Sequence, residues 1–239
     1  HDIIRNNFNV DEYEFECSAG SNKGDNFLGI IYRVTVKAKS KKFNLIVKLP
    51  PQNARREQCD SRFFFLRESE FYENVCAIYR AFQLSKGVKI ETEGFFEIPF
   101  CYKSMTEEPF EALFLEDLKE KGFEVANRKK TFTREQVHLV IKILAKMHAI
   151  FYAIKDQKVE NVEKYFTLSD AFVVSYSNQN SLTYAWIRTQ INLALTLIEK
   201  QEESDLKQKA LSVLQRDYFE QFKELVNGQS ADPFAVLCH

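Results

Sequence analysis

A chain of 239 residues with 45% hydrophobic and 14% aromatic content, but only 7 Gly and 5 Pro, can build a packed core. It is not collagen-like, low-complexity or disordered. With 33 Lys and Arg against 34 Asp and Glu, the balance gives no electrostatic case for nucleic acid or an anionic membrane as partner.

The first half reads as strand-rich. Ile30–Val36 (IIYRVTV) alternates and is β-branched, and Phe43–Leu49 (FNLIVKL) is a second strand closed by Pro50 and Pro51. A hairpin across the basic stretch from Lys37 to Lys42 joins them. Just before them, Ser18–Gly29 (SAGSNKGDNFLG) is rich in glycine and small polar residues. Glycine lets backbone N–H groups approach phosphate oxygens closely. The segment is neither a Walker A loop nor the strict kinase glycine loop, and taken alone it reads better as an ordinary hairpin turn.

A helical pattern covers about Ser61 to Phe82, with Phe64, Leu66, Phe71, Val75, Ile78 and Phe82 at three- and four-residue steps, ended by Lys86-Gly87. Phe95–Tyr102 and Phe110–Glu116 read as two more strands, joined by a polar turn from Thr106 to Pro109. The charged stretch Asp117–Lys130 reads as a connector.

From Thr133 onward the chain turns helical. Thr133 and Gln136 have the spacing of a capping box. Val137, Val140, Ile141, Leu144, His148, Phe151 and Ile154 then share one face. Further helices fit Leu182–Lys200 and Asp205–Val226, the latter ended by Gly228. The expected class is α+β. Its expected organisation is a β-rich lobe over residues 1–116, a hinge over 117–130 and a partial helical lobe over 131–239. A cleft between unlike lobes is a natural nucleotide site.

Five cysteines (Cys17, Cys59, Cys76, Cys101 and Cys238) are odd in number and scattered, with no CxxC or Cys/His cluster. That argues against a zinc site or disulfide framework and for reduced thiols in a cytoplasmic protein. No uninterrupted apolar run approaches the roughly 18 residues of a membrane span, so no membrane is expected as partner. No signal peptide precedes the fold, although a chain opening on His1 leaves a lost targeting segment open.

Three features carry chemistry. Lys48 sits inside the apolar strand Leu45-Ile46-Val47-Lys48, where an unpaired ammonium is costly to bury. A kinase uses such a lysine on the α- and β-phosphates and holds it with a helix carboxylate. Taken singly, Lys48 reads better as a lysine on the solvent face of a half-buried strand, which alternation allows. Glu68 on the following helix is the candidate partner, with Glu70 and Glu73 as competitors. Leu113–Leu118 (LFLEDL) is an apolar strand ending abruptly in two acids, either a nucleotide hinge or simply an acidic strand end. His148 fits a core histidine better than a metal ligand, and no serine-hydrolase elbow or histidine-based zinc motif occurs.

Together these residues resemble the ecdysteroid kinase-like (CHK kinase-like) family, relatives of choline and aminoglycoside kinases. The similar stretches are Gly24-Asp25-Asn26-Phe27 into Tyr32-Arg33-Val34, Leu45-Ile46-Val47-Lys48, and Glu68-Ser69-Glu70-Phe71-Tyr72. The most specific runs from Leu115-Glu116-Asp117-Leu118 through Gly122-Phe123 and Asn127-Arg128 to Leu144-Ala145-Lys146-Met147-His148-Ala149. The resemblance implies a protein-kinase-like two-lobed fold and an ATP- and Mg²⁺-dependent phosphotransferase acting on a small-molecule alcohol, steroid-like or otherwise lipophilic.

By the same resemblance, the loop with Gly24, Asn26, Phe27 and Gly29 covers the phosphates. Lys48, paired with Glu68, contacts them, and Glu116, Asp117 and Leu118 hold adenine. The family's usual small hydroxyl residue near Gly29 is missing. Val236-Leu237-Cys238-His239 resembles the run into the family's catalytic loop, with His239 opening it. By the resemblance, the catalytic Asp, the magnesium-binding Asn of that loop and a later metal-binding Asp fall beyond the 239 residues. The expectation is therefore an incomplete chain, inactive by itself, or alternatively a naturally shortened pseudokinase that binds nucleotide or a protein partner.

Overall fold

The structure is a computed structural model. It describes all residues except 23–25, 27, 28, 40, 59, 128, 161, 166–173, 175–180, 226–234, 238 and 239. The chain divides into two compact units, one of residues 1–56, 61–159 and 236–239, the other of residues 57–60 and 160–235.

The first unit is built on a five-stranded antiparallel sheet. Its strands are β1 (Tyr13–Ala19), β2 (Ile30–Ala38), β3 (Lys42–Leu49), β4 (Cys101–Met105) and β5 (Ala112–Glu116), in the spatial order β1-β2-β3-β5-β4. The α+β class and the β2–β3 hairpin are as the sequence led us to expect. β1 has no counterpart in the expectations. Its sequence YEFECSA alternates apolar and polar residues, but most of it is exposed, so burial leaves little signal.

The strand expected over Phe95–Tyr102 lies further on, at Cys101–Met105. Pro99 cannot donate to a ladder, and the segment before it is irregular. A register shift between Cys101 and Lys103 then starts the pairing of this edge strand with β5. The turn before β5 contains a cis Glu108–Pro109 bond.

Period-two alternation gives the sheet two packed faces. On one, Val36, Phe43 and Leu45 meet Ile4 of helix α1 (Asp2–Phe8) and Val10. Phe8 of α1 stacks on Phe43 with ring centroids 3.9 Å apart. On the other face, Leu113 and Leu115 of β5 and Ile46 of β3 meet Phe65 and Tyr72. Phe65 belongs to a helical run following the short helix α2 (Arg55–Gln58). The run comprises α3 (Ser61–Glu70), a π-helical turn (Phe71–Val75) and α4 (Cys76–Ser85). It ends at Lys86-Gly87, as the sequence suggested. A further short helix, α5 (Ile90–Glu93), precedes β4.

Helix α6 (Arg134–Asp156) starts at the expected capping box: Gln136 N–H donates to Thr133 Oγ1 and Thr133 N–H to Gln136 Oε1. Its apolar face is only half covered. Met147, Phe151 and Ile154 are buried, whereas Val137, Val140, Ile141 and Leu144 are exposed and His148 is half-buried. Within this unit α6 is tied down at its C-terminal half. Lys146 Nζ donates to Gly94 O at 2.7 Å and to Glu97 Oε1 at 3.2 Å. Among the described residues, α6 is also the one helix long and apolar enough to cross a membrane, a test that core helices of soluble proteins pass too.

The second unit is helical. Helix α7 (Leu182–Glu199) agrees with expectation. The single helix expected over Asp205–Val226 is instead two, α8 (Asp205–Leu214) and α9 (Tyr218–Leu225). Asp217 makes the break, because its Oδ1 accepts from the N–H groups of Phe219 and Glu220 and so caps α9. Tyr184 of α7 stacks on the buried Phe219 at 4.0 Å. The expected helix stop at Gly228 lies outside the described residues.

Candidate nucleotide site

Lys48 sits near the end of β3, opposite Ile31 of β2 and Leu113 of β5. Its side chain therefore shares the α3-packed face with Ile46. Helix α3 docks on that face through Phe65, and residues three, four and seven positions on follow the same stripe. Ser69 hydroxyl-bonds Ser104 of β4, Tyr72 enters the core, and Glu68 meets Lys48. Lys48 Nζ donates to Glu68 Oε2 at 2.6 Å and to Oε1 at 2.8 Å. The side chains keep 26% and 30% of their exposure, so the ammonium still reaches solvent or a ligand. Of the competing acids, Glu70 accepts from Asn74 and Glu73 is exposed. Burial pushes the Tyr72 phenol well above its ordinary value, and the Glu68 charge adds to that.

The glycine-rich loop is described only in part. Gly24 and Phe27 lie outside the described residues. Gly29 precedes β2, and a Cβ built there would fall 2.7 Å from the Leu49 carbonyl oxygen. Only glycine lets the loop pass this close to the end of β3. Among the described residues, the buried Asn26 Nδ2 beside this passage has no hydrogen-bond partner.

At the other end of the sheet the expected hinge residues do structural work. Asp117 is 4% exposed and holds three donors. Arg33 Nε reaches its Oδ2 at 2.5 Å, Arg33 Nη2 its Oδ1 at 3.3 Å, and Lys119 N–H its Oδ1 at 3.1 Å. The Asp117 hydrogen bond raises the Arg33 pKa further. Glu116 pairs with Lys121 at 2.6 Å, and its N–H donates to Phe100 O. Leu118 opens a short 3₁₀ turn closed by Gly122, whose φ of 83° suits glycine. Asn44 of β3 adds two bonds to Glu120 Oε1, from its backbone at 3.0 Å and its side chain at 2.7 Å. The connector is thus latched to the sheet by side chains.

Sequence reading did not single out Arg33, nor the ion-pair cluster around Glu111. Glu111 is fully buried and accepts from both Arg56 and Arg62. Glu108 pairs with the same two arginines, at 3.0 Å and 3.5 Å. Burial favours the neutral Glu111 acid, but bonds from Arg56, its own backbone and Arg62 outweigh it and hold the pKa below the ordinary value. A signal existed in the spacing of Arg56 and Arg62 around α2 and α3, but charge alone does not separate a buried pair from a solvated face.

His239, expected to open a catalytic loop, also lies outside the described residues. Among the described residues, no group of three or more His, Cys, Asp and Glu side chains gathers to hold a metal.

The sequence model of the ecdysteroid kinase-like family matches residues 23–239. This chain belongs to the ecdysteroid kinase-like family. Comparison with curated proteins and with solved structures gives no match. Family membership points to a kinase-like phosphotransferase, and the match spans both units.

Proposed function

We propose that this chain is the nucleotide-holding part of an ATP-dependent phosphotransferase whose acceptor is a hydroxyl on a small molecule, steroid-like or otherwise lipophilic. In this reading residues 1–116 form the nucleotide-binding lobe, 117–130 the hinge and 131–239 part of the helical lobe. The observation that carries it is the Lys48–Glu68 pair, a strand ammonium held by a helix carboxylate and still partly open. The same arrangement in kinases places a cation on the α- and β-phosphates.

Two further features fit a bound triphosphate. Asn26 Nδ2 is a buried donor with no acceptor among the described residues. The Gly29 passage allows backbone N–H groups close approach. Mg²⁺ would accompany the phosphates. Bound there, it neutralises phosphate charge. What this chain's residues do is hold the nucleotide. Lys48 supplies positive charge, Glu68 fixes the Lys48 rotamer, and the loop excludes water from the phosphates.

The test is calorimetric titration of the chain with MgATP. Wild type should bind, and Lys48→Met should weaken binding on the order of 10- to 100-fold, the worth of one charge-assisted bond. Equal binding by Lys48→Met would remove the site assignment.

A further inference from the structure

The sheet register puts Arg33, Ile46 and Leu115 in one row across β2, β3 and β5. Asp117 lies two residues beyond Leu115, so it belongs to the same face. For Arg33 Nε to reach Asp117 Oδ2 at 2.5 Å, the arginine side chain must cross over β3. It therefore runs across the face at Ile46, two residues from Lys48. That is about 7 Å along the strand. Arg33 keeps 24% side-chain exposure there, while Asp117 beneath it is 4% exposed.

We infer that Arg33 is a ligand-contacting residue: its guanidinium, pinned by Asp117, is the floor on which the base of the bound nucleotide stacks. The inference rests on the nucleotide reading of Lys48. A guanidinium that forks onto a carboxylate spends its hydrogen bonds in its own plane and keeps its faces for stacking on a π-system. The fork has a second role. It fixes a group that would otherwise sweep several rotamers, so little freedom is lost when a base docks. Thr35, bonded to Asn44 at 2.6 Å, and Asn44, bonded to Glu120, complete the polar surround on the hinge side. Lys48 and Glu68 bound the phosphate side. A planar base one strand step from the phosphate-binding ammonium fits between them. Any aromatic base has such a face, so Arg33 contributes affinity for a nucleoside rather than a choice among bases.

The experiment compares two ligands, MgATP and magnesium tripolyphosphate, which shares the phosphates but has no base. Arg33→Lys keeps a charge for Asp117 and removes the planar face. Its expected effect is about tenfold weaker MgATP binding with tripolyphosphate binding unchanged. Thermal melting checks that the variant is folded. Should it melt early, the Arg33→Gln/Asp117→Asn double variant, which leaves no orphan carboxylate, should show the same split. Unchanged MgATP binding by either folded variant, or equal loss for both ligands, overturns the stacking role. Wild-type binding that is absent or indifferent to Lys48→Met overturns the nucleotide reading and this inference with it. Lys48-dependent binding that ignores Arg33 overturns this inference alone.

Discussion

Lys48 and Glu68 are joined by two hydrogen bonds, 2.6 and 2.8 Å long, although one is on a strand and the other on the helix packed across it. The pair exists because Phe65, Glu68 and Tyr72 share a helix stripe and Ile46 and Lys48 share a strand face. The core contacts of Phe65, Tyr72 and Ile46 set the distance between elements. Packing thus positions the charge, and the ion pair only fixes its rotamer.

Gly29 passes close to the backbone at the end of β3. Gly29→Ala puts a methyl 2.7 Å from the Leu49 carbonyl oxygen, which cannot yield as a flexible side chain would. The expected cost is about 1–3 kcal/mol, the usual range for overpacking. Urea denaturation of the wild type and variant measures it, and MgATP affinity should fall alongside.

Glu111 should be a stability determinant sensitive to acid. Its folded pKa is lowered, so its contribution is fully present above the unfolded value of about 4.3 and is lost as pH falls through the folded value. Glu111→Ala at neutral pH takes from Arg56 and Arg62 their buried partner and leaves them the exposed Glu108, at a cost of about 1–3 kcal/mol. Wild type should lose stability steeply below about pH 4, and the variant, which lacks that carboxylate, less steeply. Denaturant midpoints collected across acid pH would show parallel curves if Glu111 were not the group responsible.

The cap of α6 offers a smaller, cleaner effect. Thr133→Ala removes the acceptor for Gln136 N–H and should destabilise the chain by about 1 kcal/mol. Thr133→Ser, which keeps the hydroxyl, should recover most of it in the same thermal melts.

Thiol reactivity should follow burial. Burial pushes the Cys76 thiol up to about 12 and the Cys101 thiol up to about 11, while Cys17 is exposed. The thiolate is the reactive form. Iodoacetamide near pH 8, followed by peptide mass spectrometry, should therefore label Cys17 well before Cys76 and Cys101. Comparable rates at all three would mean that β4 and α4 do not pack as described.

Much of this was legible in the sequence for identifiable reasons. β2 and β3 alternate with β-branched residues, Gly87 closes a helix, and Thr133 and Gln136 cap one, all local signals that tertiary packing reinforces. Lys48 stood out because it follows the apolar run Leu45-Ile46-Val47. Less visible were features set by elements distant in sequence. Arg33 and Asp117 are 84 residues apart, and only the strand order brings them together. Glu111 opened an expected strand with nothing nearby in sequence to mark it, and only the fold closes Arg56 and Arg62 over it. The break at Asp217 was missed because the apolar spacing continues through it, and only the side-chain cap shows the restart.

The most direct measurement is a double-mutant cycle on MgATP affinity with Lys48→Met, Glu68→Gln and the two combined, each checked for folding. If Glu68 acts by holding Lys48, Glu68→Gln weakens binding in the wild-type background and adds nothing once Lys48 is gone. Additive losses, or MgATP affinity indifferent to both changes, would contradict the role given to this pair.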